Sequence, residues 1–448
     1  MIGAASSRLS WGWSPAHGSR LSARVRRVSH IPILSRVPRI AILRRGFAIF
    51  LALVLATPAS AQWEIQNSGG TTVLRGIHAI GNGIAWASGT EGTVLRTIDD
   101  GKTWQRCATP PDAGHLDFRG IQAFDAQTAI VMSSGKGPLS RLYKTTDACQ
   151  SWTLLFTNPD PDGFWDALIG VSGSAQFIFA EIAGDPVDGM FTVFRFKWFA
   201  SAPPGPREQM GVETVLDCRY SGSAHDHQLQ LRPGLCAFDK PGSPNDIPAP
   251  LPGESLFAAS NSSLILRGGF AFVTGGPSGA RFLEEHFMTT GDTGSDWWTV
   301  KQLPLAKSVS GGAFSIARAS GSPNILNVVG GDYLKPNEAT GTAAFTTDNG
   351  EHWAAAQTPP HGYRSAVAYD AATKTWITVG PNGTDISTDD GRNWRALLPT
   401  PGEAPDSAQH WNALSLPFVV GPHGRIGKLR PAALKPAPQP RAATGATP

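Results

Sequence analysis

The stretch Thr97-Ile98-Asp99-Asp100-Gly101-Lys102-Thr103-Trp104 decides how this chain of 448 residues is read. Its skeleton, Ser/Thr-x-Asp-x-Gly-x-x-Trp, returns at Thr290 to Trp297, Thr346 to Trp353 and Ser387 to Trp394. A further copy, Thr145 to Trp152, carries Cys149 where the others have glycine. An Asp side chain accepts hydrogen bonds from the N–H groups of its own turn, Gly allows positive φ, and Trp brings a large apolar surface. The pattern therefore reads as a turn-holding device repeated along an all-β chain. Asp99, Asp147, Asp292, Asp348 and Asp389 are read as structural, in preference to catalytic carboxylates or metal ligands.

The spacing sets the number of repeats. The five Trp lie 48, 145, 56 and 41 residues apart, so the long gap holds a repeat without the pattern plus an insertion. Residues 164–199 alternate like strands, and 201–252, rich in Pro and Gly, are read as the insertion. A second register does not depend on the turns. It runs bulky, variable, small, aliphatic: Leu74-Arg75-Gly76-Ile77, Phe118-Arg119-Gly120-Ile121 and Trp165-Asp166-Ala167-Leu168. It continues as Leu256-Phe257-Ala258-Ala259, Ala313-Phe314-Ser315-Ile316, Tyr363-Arg364-Ser365-Ala366 and Trp411-Asn412-Ala413-Leu414. Seven copies with a uniformly small third column fit seven inner strands crowding an axis. The expected fold is one seven-bladed, four-stranded-per-blade β-propeller over 62–429, closed by Trp63-Glu64-Ile65 pairing with the last blade.

The turn pattern is similar to the Asp box of BNR and sialidase-type propellers. Over 62–429 the chain also resembles bacterial relatives of the photosystem II stability/assembly factor, through "RGIHAIGNGIAWASGTEGTVLRTIDDGKTW", "GYRSAVAYD" and "VGPNGTDISTDDGRNW". That resemblance implies a seven-bladed Asp-box propeller acting as a non-enzymatic scaffold.

The flanks read differently. Residues 1–61 hold nine Arg and no acidic residue, then an apolar run, Phe47 to Ala56, and the small residues Ala59-Ser60-Ala61. This is the layout of a cleavable signal peptide, with the cut before Gln62. Without those nine Arg, 29 basic residues face 35 acidic ones, so a formal charge of +3 becomes −6. A mildly acidic chain gives no electrostatic reason to expect nucleic acid as a partner, and no later apolar run is long enough to span a bilayer. The expected location is periplasmic or secreted, as a monomer, and 430–448 reads as a disordered Pro/Ala-rich tail. Of four cysteines in an exported chain, Cys218 and Cys236 are expected to form a bridge, with Cys107–Cys149 left open.

The variable column is expected around one mouth of the channel: Arg75, Arg119, Asp166, Phe257, Phe314, Arg364 and Asn412. Asp185, Asp332 and Tyr333 lie in loops expected beside it. Arg with aromatic residues suits an anionic, glycan or protein ligand, or else the Arg pair with Asp166, Asp185 and Asp332 as ties between blades. Asp166 with Asp185 would be the carboxylates of a glycoside hydrolase. No hydrolase, zinc or phosphate-loop motif occurs, so no cofactor or metal is expected.

Overall fold

A computed structural model describes residues 62–172, 177–199, 247–286 and 297–434. The leader, the Cys218–Cys236 pair, the Asp292 turn, residues 201–246 of the insertion and 435–448 of the expected tail lie outside the described residues, while Pro431–Leu434, expected in the tail, form a short 3-10 helix with Leu434 buried.

Seven antiparallel sheets follow one another along the chain. Blade 1 runs outward through Leu74–Gly81, Ile84–Gly89, Thr93–Thr97 and Gln105–Arg106. Blade 2 uses Phe118–Ala123, Ala129–Ser133, Arg141–Thr145 and Thr153–Thr157. Blade 3 has three strands among the described residues, Trp165–Ser172, Phe177–Val187 and Met190–Phe199. Blade 4 comprises Leu264–Leu266, Phe270–Val273, Ala280–His286 and Trp297–Leu303; blade 5 comprises Gly311–Arg318, Leu326–Asp332, Ala343–Thr346 and Ala354–Ala355. Blade 6 comprises Ala366–Asp370, Thr375–Gly380, Gly383–Ser387 and Arg395–Ala396. In blade 7 the strands Ala413–Ser415, Phe418–Val420 and Ile426–Leu429 are completed by Trp63–Gln66, with Trp63 opposite Leu429.

The second strand is buried along its whole length in most blades, as in Ala129–Ser133 and Thr375–Gly380, and the third strand is mostly buried, wholly so in Thr93–Thr97. Each blade has a neighbour on both faces, so consecutive residues, not alternate ones, must be apolar or internally bonded. Among the described residues the core accordingly divides into seven clusters, each straddling two adjacent blades. Trp86 and Val94 of blade 1 meet Phe118, Val131 and Tyr143 of blade 2. The ring closes where Leu74, Ala85 and Leu95 of blade 1 meet Phe418, Val420 and Ile426 of blade 7.

Crowding at the axis explains the small third column. A Cβ on Gly76 would stand 2.6 Å from the Arg119 carbonyl of the next blade and 2.7 Å from the Ser88 hydroxyl. Blade 4 departs from the expected register: Leu256–Ala259 are not its inner strand, which is Leu264–Leu266. Between the bridge Ser255↔Gly275 and the pair Leu264↔Phe272, eight residues on the inner side face two on the partner. The surplus forms a segment that leaves the blade.

Candidate functional site at the channel mouth

The aspartate turns lie on the face opposite the mouth. In blade 1 the Thr97 hydroxyl donates to Asp99 Oδ1 (2.8 Å) and accepts from the Gly101 N–H (3.0 Å). The Thr103 N–H donates to Asp99 Oδ1 at 3.0 Å and its hydroxyl to Oδ2 at 2.7 Å. The same scheme holds at Asp147 with Ser151, at Asp348 with His352 and at Asp389 with Asn393. Hydrogen bonds from the Thr103 side chain and N–H hold the Asp99 carboxyl down at about 2. All four carboxylates are thus spent on their own turns.

The fifth position of each turn faces the preceding blade. A Cβ on Gly101 would meet the Gln66 amide of blade 7 at 2.3 Å, and one on Gly391 the Asn327 amide of blade 5 at 1.7 Å. At the Cys149 turn the contact becomes covalent, for Cys149 is bonded to Cys107, just beyond the outer strand of blade 1. The pairing left open by the sequence is therefore formed.

At the mouth, the variable slot coincides with a one-residue β-bulge in four blades. Leu74 pairs with Gly89 and Gly76 with Ser88, leaving Arg75 without a ladder partner. Arg119, Asp166 and Phe314 are skipped in the same way. A bulge frees the slot from strict alternation and re-aims its side chain, so the slot varies while its neighbours cannot.

The blade 4 excursion crosses the axis. The Ala258 carbonyl accepts from Arg119 Nη1 of blade 2 (2.9 Å), and the Ser260 hydroxyl donates to the Ser365 carbonyl of blade 6 (2.6 Å). Asn261 Oδ1 accepts from the Leu168 N–H of blade 3 (2.6 Å), and the Ser262 carbonyl accepts from the Ile316 N–H of blade 5 (2.8 Å). Four blades thus grip one short segment across the channel, and a ligand approaching from the mouth meets it.

The expected mouth residues divide into two groups. Arg75 and Arg119 are partly exposed and share one carboxylate, Asp117, at 3.4 and 2.9 Å. Burial lowers the Arg75 pKa, Asp117 works against that fall, and the Arg119 charge adds to it. Tyr333 is 47% exposed, while Asn412 donates to the Leu74 carbonyl (2.8 Å) and ties blade 7 to blade 1.

The other residues do not reach solvent as expected. Arg364 is fully buried: its Nε donates to Asp385 Oδ2 (2.8 Å), and its Nη1 bonds the Tyr363 carbonyl and Asn382. It is a tie, not a mouth cation, because Asp385 beside it satisfies its charge. Phe314 is 2% exposed, stacked on Phe257 at 4.0 Å and edged by Tyr333 and Tyr363. Its faces are spent on packing, so it offers no platform for a sugar. Asp332 accepts from Ser308 and Ser310.

Asp166 is 2% exposed, and its carboxyl interacts with that of Asp185. Burial, then the Asp185 charge, pushes Asp166 well above the usual carboxylate range, and burial raises Asp185 to about 6. Asp185 also accepts from the Leu256 N–H (3.1 Å), anchoring the start of the crossing segment. Sequence reasoning missed Asp117, Asp385 and Asn261. Asp117 carried a signal, standing two residues before Arg119 at the mouth of the same strand; the other two answer partners distant in sequence.

No family model matches the sequence, and no curated protein matches it. Among solved structures, the chain is similar to one described as YCF48 bound to D1 peptide, with 14% identity and a TM-score of 0.48 over 82% of this chain and 96% of that one. It is also similar to YCF48 from Cyanidioschyzon merolae, with 16% identity and a TM-score of 0.47 over 83% of this chain and 99% of the other.

Proposed function

We propose that this chain is an exported, non-enzymatic binding and assembly scaffold that engages a protein partner at the mouth face. The observation that carries the reading is the pair Arg75 and Arg119 sharing the single carboxylate of Asp117 at the rim. Two guanidiniums on one carboxylate leave positive charge for an incoming anion, on a chain whose formal charge from residue 62 onward is −6. Export is supported by the leader and by the Cys107–Cys149 bridge, since disulfides persist in oxidising compartments.

A glycoside hydrolase fits the geometry less well. Its two carboxyls stand roughly 5 Å or more apart around an accessible substrate, whereas Asp166 is 2% exposed and shut away from solvent. The test is a photo-crosslinker at Asn412, in the native host, in wild-type and Arg75→Ala/Arg119→Ala backgrounds. A protein crosslinked in the first and depleted about tenfold in the second supports the reading, by the energy of a charged hydrogen bond. Equal crosslinking in both, or cleavage of a polysaccharide by the purified protein, contradicts it.

A further inference from the structure

Two loops of blade 5 hold apolar side chains out in water at the mouth face. Val309 is 78% exposed, Leu334 69% and Tyr333 47%. Mobile loops would let such side chains fold back, but these loops are fixed to each other. The Asp332 carboxylate accepts from the Ser308 hydroxyl (2.9 Å), the Ser310 hydroxyl (2.6 Å) and the Leu334 N–H (3.0 Å). The Tyr333 N–H donates to the Ser310 carbonyl at 3.2 Å. One buried carboxylate therefore sets the spacing of the three exposed side chains. Apolar groups presented rigidly to solvent are the form that binding anchors take.

The patch has neighbours that identify its occupant. Tyr333 packs edge-on against Phe257 and Phe314, at 6.5 and 6.2 Å between ring centres, so the apolar ridge continues into the mouth. Exposed Lys307 and Lys335 flank it. Glu338 lies 3.7 Å from Lys335, with both side chains more than half in solvent, a surface pair that water screens and a partner can displace. Arg75 and Arg119 add positive charge at the same opening. An apolar ridge bordered by cations complements an acidic segment bearing an apolar side chain.

We propose that Val309, Tyr333 and Leu334 dock an extended acidic segment of a partner protein, its apolar side chain on the ridge and its carboxylates on Lys307 and Lys335. This rests on the mouth-face reading for the side from which the partner comes, and on nothing else in it.

The test is selection of phage-displayed random peptides of about twelve residues, a length that supports short-motif recognition, on the purified secreted protein. Enriched peptides should pair an apolar residue with several Asp or Glu. Their affinity should fall about tenfold or more for Val309→Ser/Leu334→Ser, as for loss of an interface anchor, with thermal stability unchanged. Affinity should also fall for Lys307→Ala/Lys335→Ala and with rising salt. Absence of enrichment, peptides without acidic residues, or binding unaffected by the ridge variant overturns the proposal. So does a ridge variant that abolishes self-association or binding to phosphatidylglycerol vesicles while leaving peptide binding intact. Loss of binding in Arg75→Ala/Arg119→Ala alone, with the ridge variant silent, rejects the ridge and keeps the mouth.

Discussion

The fifth residue of each aspartate turn shows how a local requirement becomes an inter-blade contact. Gly101 sits at φ 81 and packs on Gln66; Cys149 sits at φ 64 and bonds Cys107. A residue with a Cβ is tolerated there because the bond replaces a contact that a glycine would make by close approach. Cys107→Ser/Cys149→Gly should lower unfolding stability by about 2–4 kcal/mol, the range for closing a loop of this order. Urea unfolding with and without reductant checks it: wild type should move toward the variant on reduction, and the variant should not move. The aspartates carry a second expectation. Because Asp99 is held at about 2 in the folded chain, against about 3.9 unfolded, its stabilisation is present above the unfolded value and lost as pH falls toward 2. Acid unfolding of Asp99→Asn should show a shallower loss over that window, and curves that superimpose on wild type would remove the carboxylate from the account.

At the scale of elements, the inner-strand register was legible because crowding at the axis leaves its mark on composition. Gly76, Gly120 and Ala167 are small for a reason that acts on every blade. The crossing segment was not legible, because Leu256-Phe257-Ala258-Ala259 satisfies the same pattern, while Ala258 bonds Arg119 and the following Ser260, Asn261 and Ser262 bond Ser365, Leu168 and Ile316. No local rule distinguishes a strand from a segment whose partners lie across a ring. The same limit hid Arg364, whose slot matches that of Arg75 but whose neighbour Asp385 enters from another strand.

The segment's anchor gives a pH prediction. Asp166 and Asp185 have raised pKa values, so they bind protons more tightly folded than unfolded. Their contribution is present below the unfolded value near about 4 and is lost as pH rises through about 6 for Asp185. Denaturation midpoints across this range should fall more steeply for wild type than for Asp166→Asn. A variant that tracks wild type across the whole range would show that the pair does not govern the anchor.

For the whole molecule, stability is distributed over seven interfaces between blades, and the ring depends on its closure. Trp63 is 1% exposed and lies 5.8 Å from Trp411, ring centre to ring centre, in the strand that completes blade 7. Trp63→Ala should cost about 3–5 kcal/mol, as for other buried Trp truncations, measured by urea unfolding. A loss under about 1 kcal/mol would mean that the closing strand is dispensable. The central functional claim belongs to this scale as well, since it assigns the two faces different work. Aspartate turns staple one face, and the other presents Arg75, Arg119 and the ridge around Tyr333. Hydrogen-exchange mass spectrometry of the purified protein, with and without the partner recovered by crosslinking at Asn412, tests this directly. The account predicts new protection over residues 72–76, 117–120 and 307–310 together with 332–336. Protection confined to 97–104, 145–152 and 387–394 would place the partner on the aspartate-turn face and contradict it.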